Sequence, residues 1–193
     1  MTEEQTKNFE SREEVAEALR LRQGLTGADL SGLDLSEMKL TGLNMESANF
    51  SEANLTKSVL ATANMADVNM TNAQLNEAVI AAANMSGANF QGAQLQGAKV
   101  TATNLESGDF TGSDLTDSKW LGVNVSQADF TDAKMAGVKS GAVAWSGAKV
   151  PPAEIPESFS PPPWLPVLFA GFVLLIVVAI LAKIRRQPEE ETG

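Results

Sequence analysis

With 193 residues and a net charge of −10, the chain has room for one ordinary domain plus extensions. The acidic balance argues against a nucleic-acid binder, which needs a positive footprint for the phosphate backbone. Cysteine, histidine and tyrosine are all absent, which excludes a disulfide framework, a thiolate metal site and the commonest general base.

Met1 to Lys7 is polar and reads as a loose start. Ser11-Arg12-Glu13-Glu14 fits the opening of a helix, with Ser11 as N-cap and Glu14 reaching back. Val15, Ala18, Leu19 and Arg22 share one helical face, and Gly24 supplies a stop. Residues 1–24 are therefore expected to be a polar segment and a short helix capping an open sheet edge, because bare edges aggregate. A helix that binds a partner is the alternative. The segment is too acidic and too polar for a signal or transit peptide.

From Leu25 to Val150 the chain repeats in fives. Large apolar residues run from Leu30, Leu35, Leu40 and Met45 through Phe90 to Trp145 and Val150, and only Ser140 in this series is polar. Two places before each sits a small or apolar residue, as at Ala28, Ala48 and Ala53, with a polar residue between. Neither a helical period nor strand alternation fits this spacing. It predicts a solenoid, whose units bury their apolar sides by stacking on neighbours.

A second period lies on top of the first. Every fourth unit forms a column: Leu30, Phe50, Met70, Phe90, Phe110 and Phe130 in one, Leu35, Leu55, Leu75, Leu95 and Leu115 in another. Asn44, Asn64, Asn84, Asn104 and Asn124 also fall together. Four units must then close one turn of a square coil. Three extended residues make each side, and glycine favours the corners. About six coils stacked at roughly 4.8 Å give a rod of about 30 Å. Thr103, Gly108, Ser113 and Ser118 depart from the inward alanine, and Trp120 and Trp145 suggest a widening last turn.

The units Ala28-Asp29-Leu30-Ser31-Gly32, Ala48-Asn49-Phe50-Ser51-Glu52 and Ala88-Asn89-Phe90-Gln91-Gly92 resemble the pentapeptide repeat family over about two thirds of the chain. The resemblance implies an all-β solenoid, specifically that family's right-handed quadrilateral β-helix. It implies a scaffold rather than one activity. The family's abundance in cyanobacteria makes a role in assembling a thylakoid or plasma-membrane complex a natural expectation.

Residues 151–163 read as a proline-rich linker, stiff and with no sheet to join, from which Phe159 is expected to cover the last coil. Residues 164–182 are uncharged and apolar, and as a helix of nineteen residues they reach about 28 Å, close to a bilayer core. Trp164 suits one interface and Lys183, Arg185 and Arg186 the other, predicting a transmembrane anchor followed by a basic-then-acidic tail at 183–193. The basic cluster after the span places the C-terminus in the cytoplasm and the rod outside it. Insertion of a C-terminal anchor with a short tail gives the opposite orientation. A cytoplasmic rod is favoured, because a long domain without a leader would otherwise have to cross.

The outward column Lys39, Val59, Val79, Lys99, Lys119, Lys139 is the candidate partner-binding strip, basic at its ends and apolar in the middle. A tolerated, solvated face is its plainer reading. The asparagine column reads as a structural amide ladder rather than a ligand site. Asp109 and Asp129 diverge too much to gather the oxygens that a hard cation wants. No cofactor, metal or catalytic group is expected, and a regular solenoid offers no concave pocket. These features predict a membrane-anchored, non-enzymatic scaffold for a protein partner, with lipid met through the anchor. The last coil around Trp145 is a candidate surface for homodimer pairing. The alternative is an acidic, DNA-mimicking rod that binds a topoisomerase, as some members of the resembled family do.

Overall fold

In the computed structural model, which describes residues 7–21, 23–153 and 155–158, parallel pairing follows a spacing of twenty residues. Face one is the ladder Asp29, Asn49, Asn69, Asn89, Asp109 and Asp129, joined by Asn8 before it and Val150 after it. Face two runs from Asp34 to Lys134, and face four from Asn44 to Asn124. Face three leads from Lys39 into β1 (Val59–Ala61), β2 (Val79–Ala81), β3 (Lys99–Thr101), β4 (Lys119–Leu121) and β5 (Lys139–Gly141). The strand β6 (Glu157–Ser158) completes this parallel sheet. The described region is thus an all-β solenoid with a short N-terminal helix.

All four ladders run together only from Asn44 to Asn124, which is about four turns rather than the expected six. Face four stops where its next residue would be Ala144, because the chain there enters a 3₁₀ turn at Trp145–Gly147. At the other end, the Gln23 N–H bonds Ala18 O, closing the helix instead of extending that ladder.

The large residues fill the interior. Phe90, Phe110 and Phe130 pile on one another at centroid distances of 4.7 and 4.9 Å, their planes within 8°. Trp120 is fully buried inside the regular coil rather than in a widened end, and meets Phe110 and Phe130 edge-on. Its indole N–H donates to Ser118 Oγ at 2.9 Å, and the Trp145 indole donates to Ser140 Oγ at 3.2 Å. Both serines, which interrupt the apolar pattern in sequence, supply the acceptors that buried indoles require. Gly108 has a steric reason too: a Cβ there would lie 3.1 Å from the Phe110 ring.

Glycine is the minority at the corners. Every fifth residue from Gly27 to Ala142 has φ between 50° and 70°, and fifteen of these are not glycine. Even the β-branched Thr62 is held at φ 52°, where an L-residue is strained. Backbone bonds between coils impose the geometry: Glu52 N–H reaches Thr71 O at 2.9 Å and Thr62 N–H reaches Ala81 O at 2.8 Å.

The helix α1 (Arg12–Arg20) is capped by Ser11 Oγ accepting from the Glu14 N–H at 3.2 Å. The Glu14 carboxylate reaches back to the Glu10 N–H at 2.9 Å. Val15 and Ala18 are buried. The helix ends at Arg20, earlier than the expected stop at Gly24. It covers the edge as expected: Arg12 donates to Ser36 O at 2.6 Å and to Asp34 O at 3.4 Å, satisfying carbonyls that a further coil would otherwise meet. Phe9 N–H pairs with Asp29 O, and Asp29 N–H with Lys7 O.

The proline-rich stretch differs from expectation, because Glu157–Ser158 joins the sheet beside Lys139 and Ser140. Pro156 precedes the strand, a position where the missing N–H costs no ladder bond. Among the described residues no helix is long and apolar enough to cross a membrane. The span expected at 164–182, its flanking Trp164, Lys183, Arg185 and Arg186, the tail and the Phe159 cover all lie outside the described residues.

Ser58 occupies an inward position that is elsewhere most often alanine, is fully buried, and its Oγ has no hydrogen-bond partner. Ser58→Ala is expected to stabilise the solenoid by about 1 kcal/mol, since it removes an unsatisfied hydroxyl. Ala102→Gly, at φ 50°, is expected to add a similar amount, about 1 kcal/mol, by relieving left-handed strain. Denaturant midpoints at unchanged slope check both, and a lower midpoint in either variant contradicts its explanation.

Candidate functional site

Face three differs in kind from the others. Corners after the other faces commonly close with a backbone bond, such as Ala28 N–H to Leu25 O and Ala53 N–H to Phe50 O. Among the described residues the corners after Leu40, Leu60, Ile80, Val100 and Trp120 lack it, so the chain stays extended for longer. Each strand therefore sends two residues outward instead of one. The first row is the predicted strip, and the structure brings all six of its residues into one register: Lys39 pairs with Val59, then Val79, Lys99, Lys119 and Lys139 follow. The four lysines are exposed and the two valines half-buried.

The second row is Thr41, Ala61, Ala81, Thr101 and Leu121, ending at the buried Gly141, and was not singled out from sequence. A signal was present. The equivalent place on the other faces holds mostly Ser, Thr, Gln or Glu, whereas here four of six are Ala, Leu or Gly.

Charge sorts by face. None of the thirteen acidic residues between positions 25 and 150 lies in either outward row or in the corner that follows them, but past Lys139 the first row continues into Glu157 of β6, its register partner. The corner leading into the face does carry Glu37, Glu77 and Asp117. Glu77 lies 4.0 Å from Lys57. Among the described residues neither Lys99 nor Lys119 is within ion-pair distance of a carboxylate.

The asparagine column of face four is the expected amide ladder. Asn64, Asn84, Asn104 and Asn124 each donate Nδ2 to the Oδ1 of the asparagine one coil earlier, at 2.8–3.2 Å. On face one, Asn49 and Asn69 extend the same chain from Asp29. Asp109 and Asp129 border a shallow hollow with Ser107, Gln127 and Lys149, whose Nζ stands 3.7 Å from Asp129. Among the described residues no group of three acidic side chains is placed to hold a metal.

A family profile described as pentapeptide repeats matches in eight copies, over residues 25–56, 44–80, 69–106 and 109–139. Among curated proteins none matches. Full-length QnrB1, a plasmid-mediated fluoroquinolone resistance protein, is 17% identical with a TM-score of 0.50, covering 75% of this chain and 85% of that one. A trypsin-treated variant of QnrB1 is 25% identical with a TM-score of 0.44, covering 64% of this chain, which spans 65% of that chain's length. Rfr23, a pentapeptide repeat protein from the cyanobacterium Cyanothece 51142, is 19% identical with a TM-score of 0.49, covering 68% and 96%.

Asp29, Asp34, Asp109, Asp114 and Asp129, on faces one and two, titrate low. Ser31, Ser36 and Thr131 donate side-chain and backbone hydrogen bonds that hold Asp29, Asp34 and Asp129 below the usual carboxylate range. Burial pushes Asp109 and Asp114 upward, but the bonds from Thr111 and Thr116 outweigh it. A carboxylate depressed in the folded state contributes stability above its unfolded pKa of about 3.9 and loses it as pH falls through the folded value. Stability is therefore expected to drop steeply below about pH 4. Replacing Asp29, Asp109 and Asp129 with asparagine, the ladder's other resident, flattens that drop. Melting curves from neutral to acid pH check this, and equal slopes in the two proteins exclude it.

Proposed function

The chain belongs to the pentapeptide repeat family, whose fold is used for protein interaction, and from that premise we propose that it is a membrane-anchored scaffold. The family's β-solenoids are generally non-catalytic. The observation that carries the proposal is the in-register strip of Lys39, Val59, Val79, Lys99, Lys119 and Lys139 on a flat, two-row face of an otherwise acidic solenoid. Aligned lysines repel across neighbouring strands unless something offsets them; Glu157 stands next in register to Lys139, and a protein partner supplies the offset at Lys99 and Lys119.

Residues 164–182, with Trp164 before them and Lys183, Arg185 and Arg186 after, provide the bilayer anchor in this reading. Tethering raises the local concentration of rod and partner and fixes their orientation. The solenoid faces the cytoplasm and the partner is membrane-associated. A second reading rests on the thirteen acidic residues that lie outside the two outward rows of face three: an acidic rod that binds a topoisomerase. Protection of a topoisomerase by the full chain in a supercoiling assay would favour it over the scaffold.

Crosslinking in native membranes is expected to recover one dominant partner, and the Lys99→Glu/Lys119→Glu variant is expected to lose it while its circular dichroism is unchanged. Recovery that ignores this charge reversal discards the docking strip. Protease added to membranes with an exposed cytoplasmic surface is expected to digest the solenoid; full protection reverses the assigned orientation.

A further inference from the structure

We propose that face three receives an amphipathic α-helix of its protein partner, laid along the coil axis, with carboxylates over the lysines and apolar residues over the valines. The proposal rests on the docking reading above and names the partner's chemistry.

Spacing selects a helix. Coils stack at about 4.8 Å, so Lys99, Lys119 and Lys139 recur at that interval along the axis. Residues three or four apart on a helix advance about 4.5–6 Å and share one side. Alternating choices of three and four therefore track the lysines coil by coil. An extended strand returns a side chain to the same side about every 6.8 Å, which slips out of step within two coils. A lipid surface has no register to match.

Shape and charge agree with this. The second outward row is no larger than Thr or Ala except at Leu121, leaving a shelf on which a helix about 10 Å across can lie close. The corner beyond that row holds Gly42, Thr62, Ala82, Ala102, Gly122 and Ala142, with no charge. The opposite corner carries Glu37, Glu77 and Asp117 against a single cation, Lys57, so an acidic helix is turned toward the neutral side. The flexible lysine stem with its rotatable donors tolerates approximate register better than a guanidinium fork. From Lys39 to Lys139 is five coil steps, about 24 Å or roughly sixteen helical residues. The required stripe is acidic, apolar, apolar, then acidic three times.

The test uses the full chain in neutral detergent micelles and a labelled synthetic peptide of about eighteen residues carrying that stripe. The probes beside it are a scrambled isomer of identical composition and phosphatidylglycerol vesicles as competitor. Fluorescence anisotropy is expected to show the striped peptide binding at least about tenfold more tightly than its isomer. Lys99→Glu/Lys119→Glu weakens it about tenfold or more, and Lys134→Gln on face two does not. Equal binding of the two peptides, indifference to the charge reversal, or vesicles displacing the peptide from the strip overturns the helix, the last in favour of a bilayer. If native recovery depends on the strip while the striped peptide binds no better than its isomer, the helix falls and the docking reading stands. If the striped peptide binds as described but native recovery ignores the strip, the docking reading falls and face three remains a helix site.

Discussion

Each coil hangs from its neighbours by two kinds of backbone bond. One joins an N–H to the carbonyl nineteen residues ahead, as from Phe50 to Asn69 at 2.7 Å; the other joins it to the carbonyl twenty-one behind, as from Asn69 to Ala48 at 3.0 Å. Repeated along the chain, these bonds dictate that residues twenty apart lie over one another. The phenylalanine pile, the amide ladders and the lysine row are all side-chain consequences of that backbone rule. So is the tolerance of left-handed corners, since the same bonds hold Thr62 and Ala102 where their own preferences would not.

The interior shows how departures in one column are compensated in the next. Trp120 is large for its place, and the residue above it in the ladder is Ser140, which leaves room and accepts the Trp145 indole. Ser118 and Gly108 likewise make way for Trp120 and Phe110. Close packing demands this, because a methylene too many in such a core forces strain.

The columns were legible in the primary sequence because one residue type recurs in each, and the strip could be read from spacing alone. Three things were not. The coil count assumed that all four sides persist to Val150, whereas side four ends where Ala144 replaces the ladder asparagine. The second outward row is hidden by the five-residue spacing, because an even repeat implies that every unit turns alike, whereas side three stays extended one residue longer. Glu157–Ser158 is too short, and too closely flanked by prolines, to show any strand pattern. The capping helix was readable from Ser11 and Glu14, but not the guanidinium of Arg12 reaching across to carbonyls more than twenty positions away.

The twenty-residue period also governs how such a chain can change in length. Loss or gain of one whole circuit shortens or lengthens the lysine row and leaves its neighbours aligned. A single five-residue indel instead rotates everything beyond it by a quarter turn, carrying part of the row onto an acidic wall. For the row to stay continuous, any change of length within the solenoid must come in whole circuits of twenty residues.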